Sequence, residues 1–204
     1  MARAVSVSQL YSKKRKLLAF EGEMAASFGQ PEMKGAWLIW GGSGNGKTTF
    51  IAQLSKYLTQ FGRVAYNSLE EGDSESLKLT FKRVAMHEVG RKIIILSETM
   101  VELKKRLKKH KAPQIVVIDS SQYSQMTYKE YVEMRAEFPN VLFLIISHAE
   151  GKEPEGKVAK KIRYDAFVKI RVEGYMAFAA SRYGGGKPYV IWKEGADRYH
   201  GADF

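Results

Sequence analysis

The chain contains no cysteine, which excludes a disulfide framework and any zinc or iron–sulfur site held by cysteine thiolates. It also has no apolar run near the roughly 18–20 residues that a membrane-spanning helix needs. A basic cluster at 13 to 16 is not followed by the apolar segment of a secretory signal. We therefore expect a cytoplasmic protein with no membrane partner.

Acidic residues are outnumbered, with 22 Asp and Glu against 33 Lys and Arg and a formal net charge of +11. This balance favours an acidic partner, nucleic acid before anionic membrane. Hydrophobic residues make up 45% of the chain, which excludes a disordered composition. A chain of 204 residues is predicted to form a single domain over 1–204, with 1–30 as a helical N-terminal extension.

Short apolar runs alternate with segments of helical periodicity along most of the chain. Five such runs predict strands, at 36–40, 63–69, 92–96, 115–118 and 141–146, of which the first is expected to be buried. This alternation is typical of an α/β domain with a mostly parallel central sheet flanked by helices. From 167 to 192 the pattern changes to strands with a turn at 184–186, which predicts antiparallel edge strands near the C-terminus.

A glycine-rich motif, Gly41-x-x-x-x-Gly46-Lys47-Thr48, lies between the first predicted strand and the next helix, as a phosphate-binding loop requires. Its glycines let backbone N–H groups face phosphate oxygens, and the helix N-terminus adds partial positive charge. Lys47 is expected to reach the β- and γ-phosphates and Thr48 to bind Mg²⁺, so ATP and Mg²⁺ are the expected cofactors. The predicted nucleotide-binding residues are Gly41, Gly42, Ser43, Gly44, Asn45, Gly46, Lys47, Thr48 and Thr49.

Two carboxylate positions complete the predicted site. Asp119 ends the run I-V-V-I-D, and an acid at the tip of a buried strand is costly without a partner such as Mg²⁺. Glu70 ends the strand after the P-loop helix, on the sheet edge that also carries the P-loop and Asp119. ATP hydrolysis needs an oriented water, which makes Glu70 the candidate base. Glu71 is either a helper or a turn residue.

Short segments around these residues resemble RecA-fold ATPases. V-A-Y-N-S-L-E-E at 64–71 resembles the strand whose Glu activates water in that family, and I-V-V-I-D-S-S-Q-Y at 115–123 resembles bacterial RadA. S-R-Y-G at 181–184 resembles the end of the RadA motif K-N-R-F-G, and 161–172 resembles a segment of RadA and DnaB-type helicases. The resemblance spans residues 30 to 195 or so and implies a RecA-like P-loop NTPase fold.

The resemblance also implies roles for individual residues. Glu70 would be the catalytic base, and Arg182 would be a finger that reaches the γ-phosphate of a neighbouring subunit. A finger acting in trans implies a homo-oligomer, either a ring or a filament. His148 stands where the family often has a Gln that senses the γ-phosphate. Ala180 departs from the Lys of the RadA motif, and the sequence leaves open whether Lys187 substitutes for it.

Two basic stretches are candidates for contact with nucleic acid. In RecA-type proteins, loops after the fifth strand line the DNA path, and the glycines and Pro154 of this stretch predict a flexible loop. Its candidate contacts are Lys157, Lys160, Lys161 and Arg163. The second stretch, 104–111, is either a DNA contact or an ordinary solvated helix face. Phosphate contacts of this kind are sequence-independent and salt-sensitive.

The sequence therefore predicts a Mg²⁺-dependent, ATP-hydrolysing RecA-type ATPase that acts on single-stranded DNA in recombination or replication. A single-strand-binding or recombination protein is the expected further partner. Without a zinc module or a helicase N-terminal domain, the chain resembles the small RecA-core ATPases of phages and mobile elements. The alternatives are a KaiC-like nucleotide switch that acts on a protein partner, a small-molecule P-loop kinase and a catalytically inactive relative.

Overall fold

A computed structural model describes residues 4 to 201. The strands of this part of the chain are β1 (Gly35–Gly41), β2 (Val64–Ser68), β3 (Ile93–Leu96), β4 (Ile115–Asp119), β5 (Leu142–Glu150), β6 (Glu153–Pro154), β7 (Val168–Glu173), β8 (Met176–Ser181) and β9 (Tyr189–Val190). The α-helices are α1 (Val7–Ser12), α2 (Gly22–Phe28), α3 (Lys47–Leu58), α4 (Glu75–Arg83), α5 (Met100–Leu107), α6 (Tyr128–Glu137), α7 (Gly156–Asp165) and α8 (Lys193–His200). A 3₁₀ helix covers Met86–Lys92.

These strands form one sheet in the order β3-β2-β4-β5-β1-β7-β8-β9, and β6 pairs with β5 outside this path. Pairing is parallel from β3 to β7 and antiparallel from β7 to β9, as predicted. The register places Gly41 beside His148 and Ser68 beside Asp119. The P-loop, the end of β2 and the end of β4 therefore share one edge of the sheet, here called the P-loop edge.

Helices cover both faces of the sheet because its central strands are apolar on both sides. On β1, Trp37 and Ile39 pack into one core cluster together with residues of α2, α3 and α4. Leu38 and Trp40 pack into the other core cluster with residues of α5, α6 and α7. Alternate side chains of one strand thus enter opposite cores, as the period of two of a β-strand requires.

The N-terminal segment is less helical than predicted. It contains only the short helices α1 and α2 within the described residues, and positions 1 to 3 of the predicted extension lie outside them. From residue 18 onward the segment joins the core, because Leu18, Phe20 and Phe28 are buried. The Phe20 ring lies 6.2 Å from the ring of Trp37 and 5.3 Å from that of Tyr57. Residues 4 to 17 remain exposed.

The prediction of a flexible loop after His148 is wrong. Strand β5 continues through His148 to Glu150, and the lysine-rich residues that follow form α7. The physical reason is an apolar stripe among the lysines, since Ala159 and Ile162 are both buried and Ile162 packs into the core cluster on one face of the sheet. Helix α8, after the last strand, was not predicted either. No helix of residues 4–201 is both long and apolar enough to cross a membrane.

Candidate nucleotide-binding site

The P-loop connects the end of β1 to the start of α3. Gly44 and Gly46 adopt positive φ angles of 74° and 89°, which glycine accepts without steric cost. Gly41 has no room for a side chain, because a Cβ there would collide with the carbonyl oxygen of Val172. Helix α3 begins at Lys47 with Gly46 as its N-cap. The loop therefore combines left-handed glycine turns with the N-terminus of a helix, a combination that suits a polyphosphate.

Asn45 anchors the P-loop to the turn between β7 and β8. Its side-chain oxygen accepts a hydrogen bond of 2.7 Å from the backbone N–H of Gly174, and its carbonyl oxygen accepts one of 3.1 Å from Tyr175. Its side-chain amide also donates to the carbonyl oxygen of Ser43 at 3.1 Å. The side chain of this predicted binding residue thus holds the shape of the loop.

Lys47 lies among groups of opposite charge. Burial lowers the pKa of the Lys47 ammonium, and the carboxylates of Asp119 and Glu70 act against this by raising it. Burial disfavours the charged ammonium because it removes water, whereas the two nearby carboxylates favour the charged form. A partly dehydrated cation at the start of α3 is suited to pair with the phosphates of a nucleotide.

Asp119 is held by a neighbour that the sequence analysis did not identify. The hydroxyl of Tyr66, on β2, donates a hydrogen bond of 2.8 Å to Asp119 Oδ2. Burial raises the pKa of Asp119 to about 6, while this hydrogen bond lowers it and the charge of Glu70 raises it. Burial also raises the pKa of Tyr66 well above its usual value, so the phenol stays a donor. The contact depends on the pairing of β2 with β4, which the sequence does not reveal.

The oxygen-bearing side chains at this edge fit a magnesium ion. Thr48 and Asp119 supply the hard oxygen ligands that Mg²⁺ prefers. Ser68 and Ser120 carry buried hydroxyls without a hydrogen-bond partner among the described residues. Residues 4–201 contain no group of three or more His, Asp or Glu residues that could hold a metal alone. This composition suits an ion that takes its other ligands from nucleotide phosphates and water.

Glu70 lies directly beside Asp119, as the sequence predicted. Its backbone N–H donates a hydrogen bond of 3.1 Å to the carbonyl oxygen of Asp119. Its carboxylate Oε2 lies 3.3 Å from Nε2 of His148, and both side chains are about one-third exposed. The Glu71 carboxylate accepts a hydrogen bond of 3.3 Å from Ser74, the N-cap of α4. Burial is the larger cause, but the charge of Glu71 also raises the pKa of Asp119, so both acids lie near the site. Of the two, Glu70 is the one beside His148.

Gln122, a second residue without a role in the sequence analysis, connects this edge to α7. Its side-chain amide donates to Ser147 Oγ at 2.9 Å and to the carbonyl oxygen of Glu155 at 3.3 Å. The backbone N–H of Glu155 donates to the carbonyl oxygen of His148 at 2.9 Å. Glu155 is the N-cap of α7. One backbone hydrogen bond therefore connects His148 to the N-cap of α7.

Arg182 does not lie at the P-loop of its own chain. It follows the end of β8, which runs antiparallel to β7 and so ends at the opposite edge of the sheet. Its backbone N–H donates to the carbonyl oxygen of Phe167 at 3.2 Å, and its guanidinium lies 5.2 Å from the centre of the Phe167 ring. The side chain is exposed. In this position Arg182 can serve a nucleotide only if another subunit carries that nucleotide.

The predicted nucleic-acid contacts all lie on α7, and three of the four already have partners. Lys160 pairs with Glu150 at 2.9 Å, and Arg163 pairs with Glu153. Lys161 lies 5.5 Å from the centre of the Tyr128 ring. Of these four residues, only Lys157 has no such contact within residues 4–201. These contacts reduce the number of free positive charges that α7 offers to a polyanion.

Comparison with known proteins gives no match to a family model and none to a curated protein. Solved structures do match. The flagellar accessory protein FlaH of Methanocaldococcus jannaschii is 13% identical over 88% of this chain and 96% of its own, with a TM-score of 0.62. The KaiC-like protein PH0186 of Pyrococcus horikoshii is 20% identical over 86% of this chain and 93% of its own, with a TM-score of 0.57.

These structural neighbours define the fold class. The chain has a RecA-like P-loop fold, with a mostly parallel sheet, helices on both faces and antiparallel edge strands, as the sequence predicted. At 13% and 20% identity the likeness shows the fold alone, and neither neighbour is described as a RadA or DnaB protein.

Proposed function

We propose that this protein is a Mg²⁺-dependent ATPase of the RecA type. The observation that carries the proposal is the convergence of the P-loop, Lys47, Asp119 and Glu70 at one edge of the sheet. The P-loop N–H groups and Lys47 would bind the phosphates of ATP, and Thr48 and Asp119 would hold Mg²⁺. The ion, when bound, neutralises charge on the β- and γ-phosphate oxygens. Tyr66 keeps the Asp119 carboxylate in place.

Glu70 is the residue that we assign to the attacking water. A water in line with the γ-phosphate needs a group that orients it and takes its proton. Glu70 is partly exposed beside Asp119, so its carboxylate has access to water. His148, 3.3 Å away, can respond to the γ-phosphate and to Glu70 together. Its link through Glu155 to α7 offers a route by which the nucleotide state alters the surface of the molecule.

We further propose that the protein acts as a homo-oligomer, ring or filament. Arg182 supports this, because it is an exposed arginine at the edge opposite its own P-loop. In a head-to-tail assembly, this edge of one subunit would meet the P-loop edge of the next. Each nucleotide would then lie between two subunits.

The partner that we favour is single-stranded DNA, in recombination or replication. The net charge of +11 supports a polyanionic ligand. The likeness to a KaiC-like protein supports the second candidate, a nucleotide switch that acts on a protein. A small-molecule kinase is less well supported. The segment that could have formed its lid is helix α7, whose Ile162 packs into the core cluster on one face of the sheet.

The test is the steady-state ATPase rate with and without single-stranded DNA, at low and at moderate salt. A DNA-coupled ATPase should be stimulated by DNA, and the stimulation should fade as salt rises, because phosphate contacts release counterions. A rate that is unaffected by DNA, together with no DNA binding, would contradict the nucleic-acid partner. That result would favour the protein-partner switch while leaving the ATPase proposal intact.

A further inference from the structure

We propose that a single-stranded nucleic acid docks on a basic surface at the sheet edge opposite the P-loop. This surface, here called the basic edge, consists of Arg63, Arg91, Lys92, Lys109 and Lys111. The inference rests on the nucleic-acid part of the proposed function and does not depend on ATP hydrolysis. Lys109 and Lys111 belong to the second basic stretch that the sequence offered, and the residues of α7, the first candidates, lie outside this surface.

Strand register brings the basic edge together from segments that are far apart in the sequence. Val64 pairs with Ile93 on one side and with Ile115 on the other, so the three strands begin at the same level. The residues just before them are Lys92, Arg63 and Gln114, in neighbouring positions about 5 Å apart. The guanidinium of Arg63 donates to the carbonyl oxygen of Lys111 at 2.8 Å, which fixes the α5–β4 loop beside this row.

The charges of the basic edge are exposed and are not neutralised by other side chains of residues 4–201. All five side chains are exposed. The side chains of Arg91, Lys92, Lys109 and Lys111 have no ion pair or hydrogen bond among the described residues. The segments that form the surface, 59–63, 89–92 and 108–114, contain no Asp or Glu. A cavity of about 410 Å³ lies here, lined in part by Arg63, Lys92 and Lys111. The surface is therefore an open concentration of positive charge.

The chemistry of the basic edge favours nucleic acid over a membrane. A peripheral membrane site combines basic residues with exposed large apolar side chains that insert among the lipids. None of the exposed large hydrophobic residues of the described chain falls within the three segments that form this surface. Exposed Lys and Arg side chains beside a shallow cavity suit a row of backbone phosphates, which they contact without reading base sequence.

The basic edge is also connected to the nucleotide site by the two strands that begin there. Strand β2 begins directly after Arg63 and ends two residues before Glu70, and β4 begins directly after Gln114 and ends at Asp119. Each of these strands has five residues and spans about 17 Å. A nucleic acid at the basic edge would thus bind at the opposite ends of the strands that hold the catalytic carboxylates, away from the nucleotide itself.

The experiment compares two variants with the same loss of charge. One carries Arg91→Gln, Lys92→Gln, Lys109→Gln and Lys111→Gln at the basic edge. The other carries Lys157→Gln, Lys160→Gln, Lys161→Gln and Arg163→Gln on α7. Binding of a fluorescent oligothymidine is measured by anisotropy across a salt series, without nucleotide, and thermal unfolding checks each fold. Arg63 is left intact because its side chain holds the α5–β4 loop.

We expect the basic-edge variant to bind at least tenfold more weakly at low salt, and the α7 variant to bind like wild type. The slope of log K against log salt should become flatter by about 0.7 for each phosphate contact removed. Weaker binding by the α7 variant alone, or equal losses in both, would overturn the inference but leave DNA as the partner. If wild type does not bind the oligothymidine, both the basic-edge inference and the proposal of a DNA partner are overturned. If the quadruple variant unfolds, Lys92→Gln/Lys109→Gln should still weaken binding, and unchanged binding would contradict the inference.

Discussion

Replacing Glu70 by Gln is expected to leave ATP binding intact and to lower the turnover rate about a hundredfold or more. Gln has nearly the shape of Glu and keeps an oxygen near His148, but it cannot accept a proton from the attacking water. The P-loop, Lys47 and Asp119 are unchanged in this variant, so the bound nucleotide keeps its contacts. Binding is measured with a fluorescent ATP analogue, and hydrolysis by single-turnover phosphate release.

Glu71→Gln is the matched control for this prediction. It removes the same charge from the adjacent residue, whose carboxylate faces Ser74 and the start of α4. We expect it to keep nearly the wild-type rate. If Glu70→Gln hydrolyses ATP as fast as wild type, Glu70 is not the base. If Glu71→Gln loses more activity than Glu70→Gln, the assignment of the two acids is reversed.

Replacing Arg182 by Ala should lower the ATPase rate of the oligomer by about a thousandfold, which is the lower range for an arginine finger. The cause is the loss of a positive charge that stabilises the γ-phosphate in the transition state. Because Arg182 and Glu70 lie at opposite edges of one subunit, each would serve a different nucleotide. Mixing Arg182→Ala with Glu70→Gln subunits should therefore restore activity, since some interfaces then contain both intact residues.

Lys187→Ala is the control for the Arg182 variant. Lys187 is an exposed cation in the loop after β8. Its replacement by Ala removes one positive charge, the same change that Arg182→Ala makes. We expect a rate close to that of wild type. Oligomer formation by each variant is followed by light scattering. If mixed oligomers form and no activity returns, Arg182 does not act across an interface.

The centre of the parallel sheet was predictable because β1, β2, β4 and most of β5 are buried on both faces. Such strands appear in the sequence as continuous apolar runs. Helix α7 was missed because its stripe of Ala159 and Ile162 is short and surrounded by lysines. Glycine and proline near its start gave a stronger signal for a loop than the stripe gave for a helix.

Position in a motif singles out Lys47, Thr48 and Asp119 in the sequence, and their roles stay predictions. The structure places Lys47 and Glu70 close to Asp119. No motif position singles out Tyr66 or Gln122. Their roles depend on which strand lies beside which, and side-chain hydrogen bonds between strands leave no periodic signal in the sequence. The basic edge depends in the same way on the register of β2, β3 and β4.

Phosphate release from ATP by wild type and by Lys47→Ala, with and without Mg²⁺, tests the central claim of Mg²⁺-dependent hydrolysis most directly. Lys47 is the one cation of the P-loop, and its loss removes the charge that pairs with the β- and γ-phosphates. We predict turnover by wild type that requires Mg²⁺, and no turnover above background by Lys47→Ala. Equal rates for the two proteins, or a wild-type rate that persists in EDTA, would contradict an ATPase centred on this site.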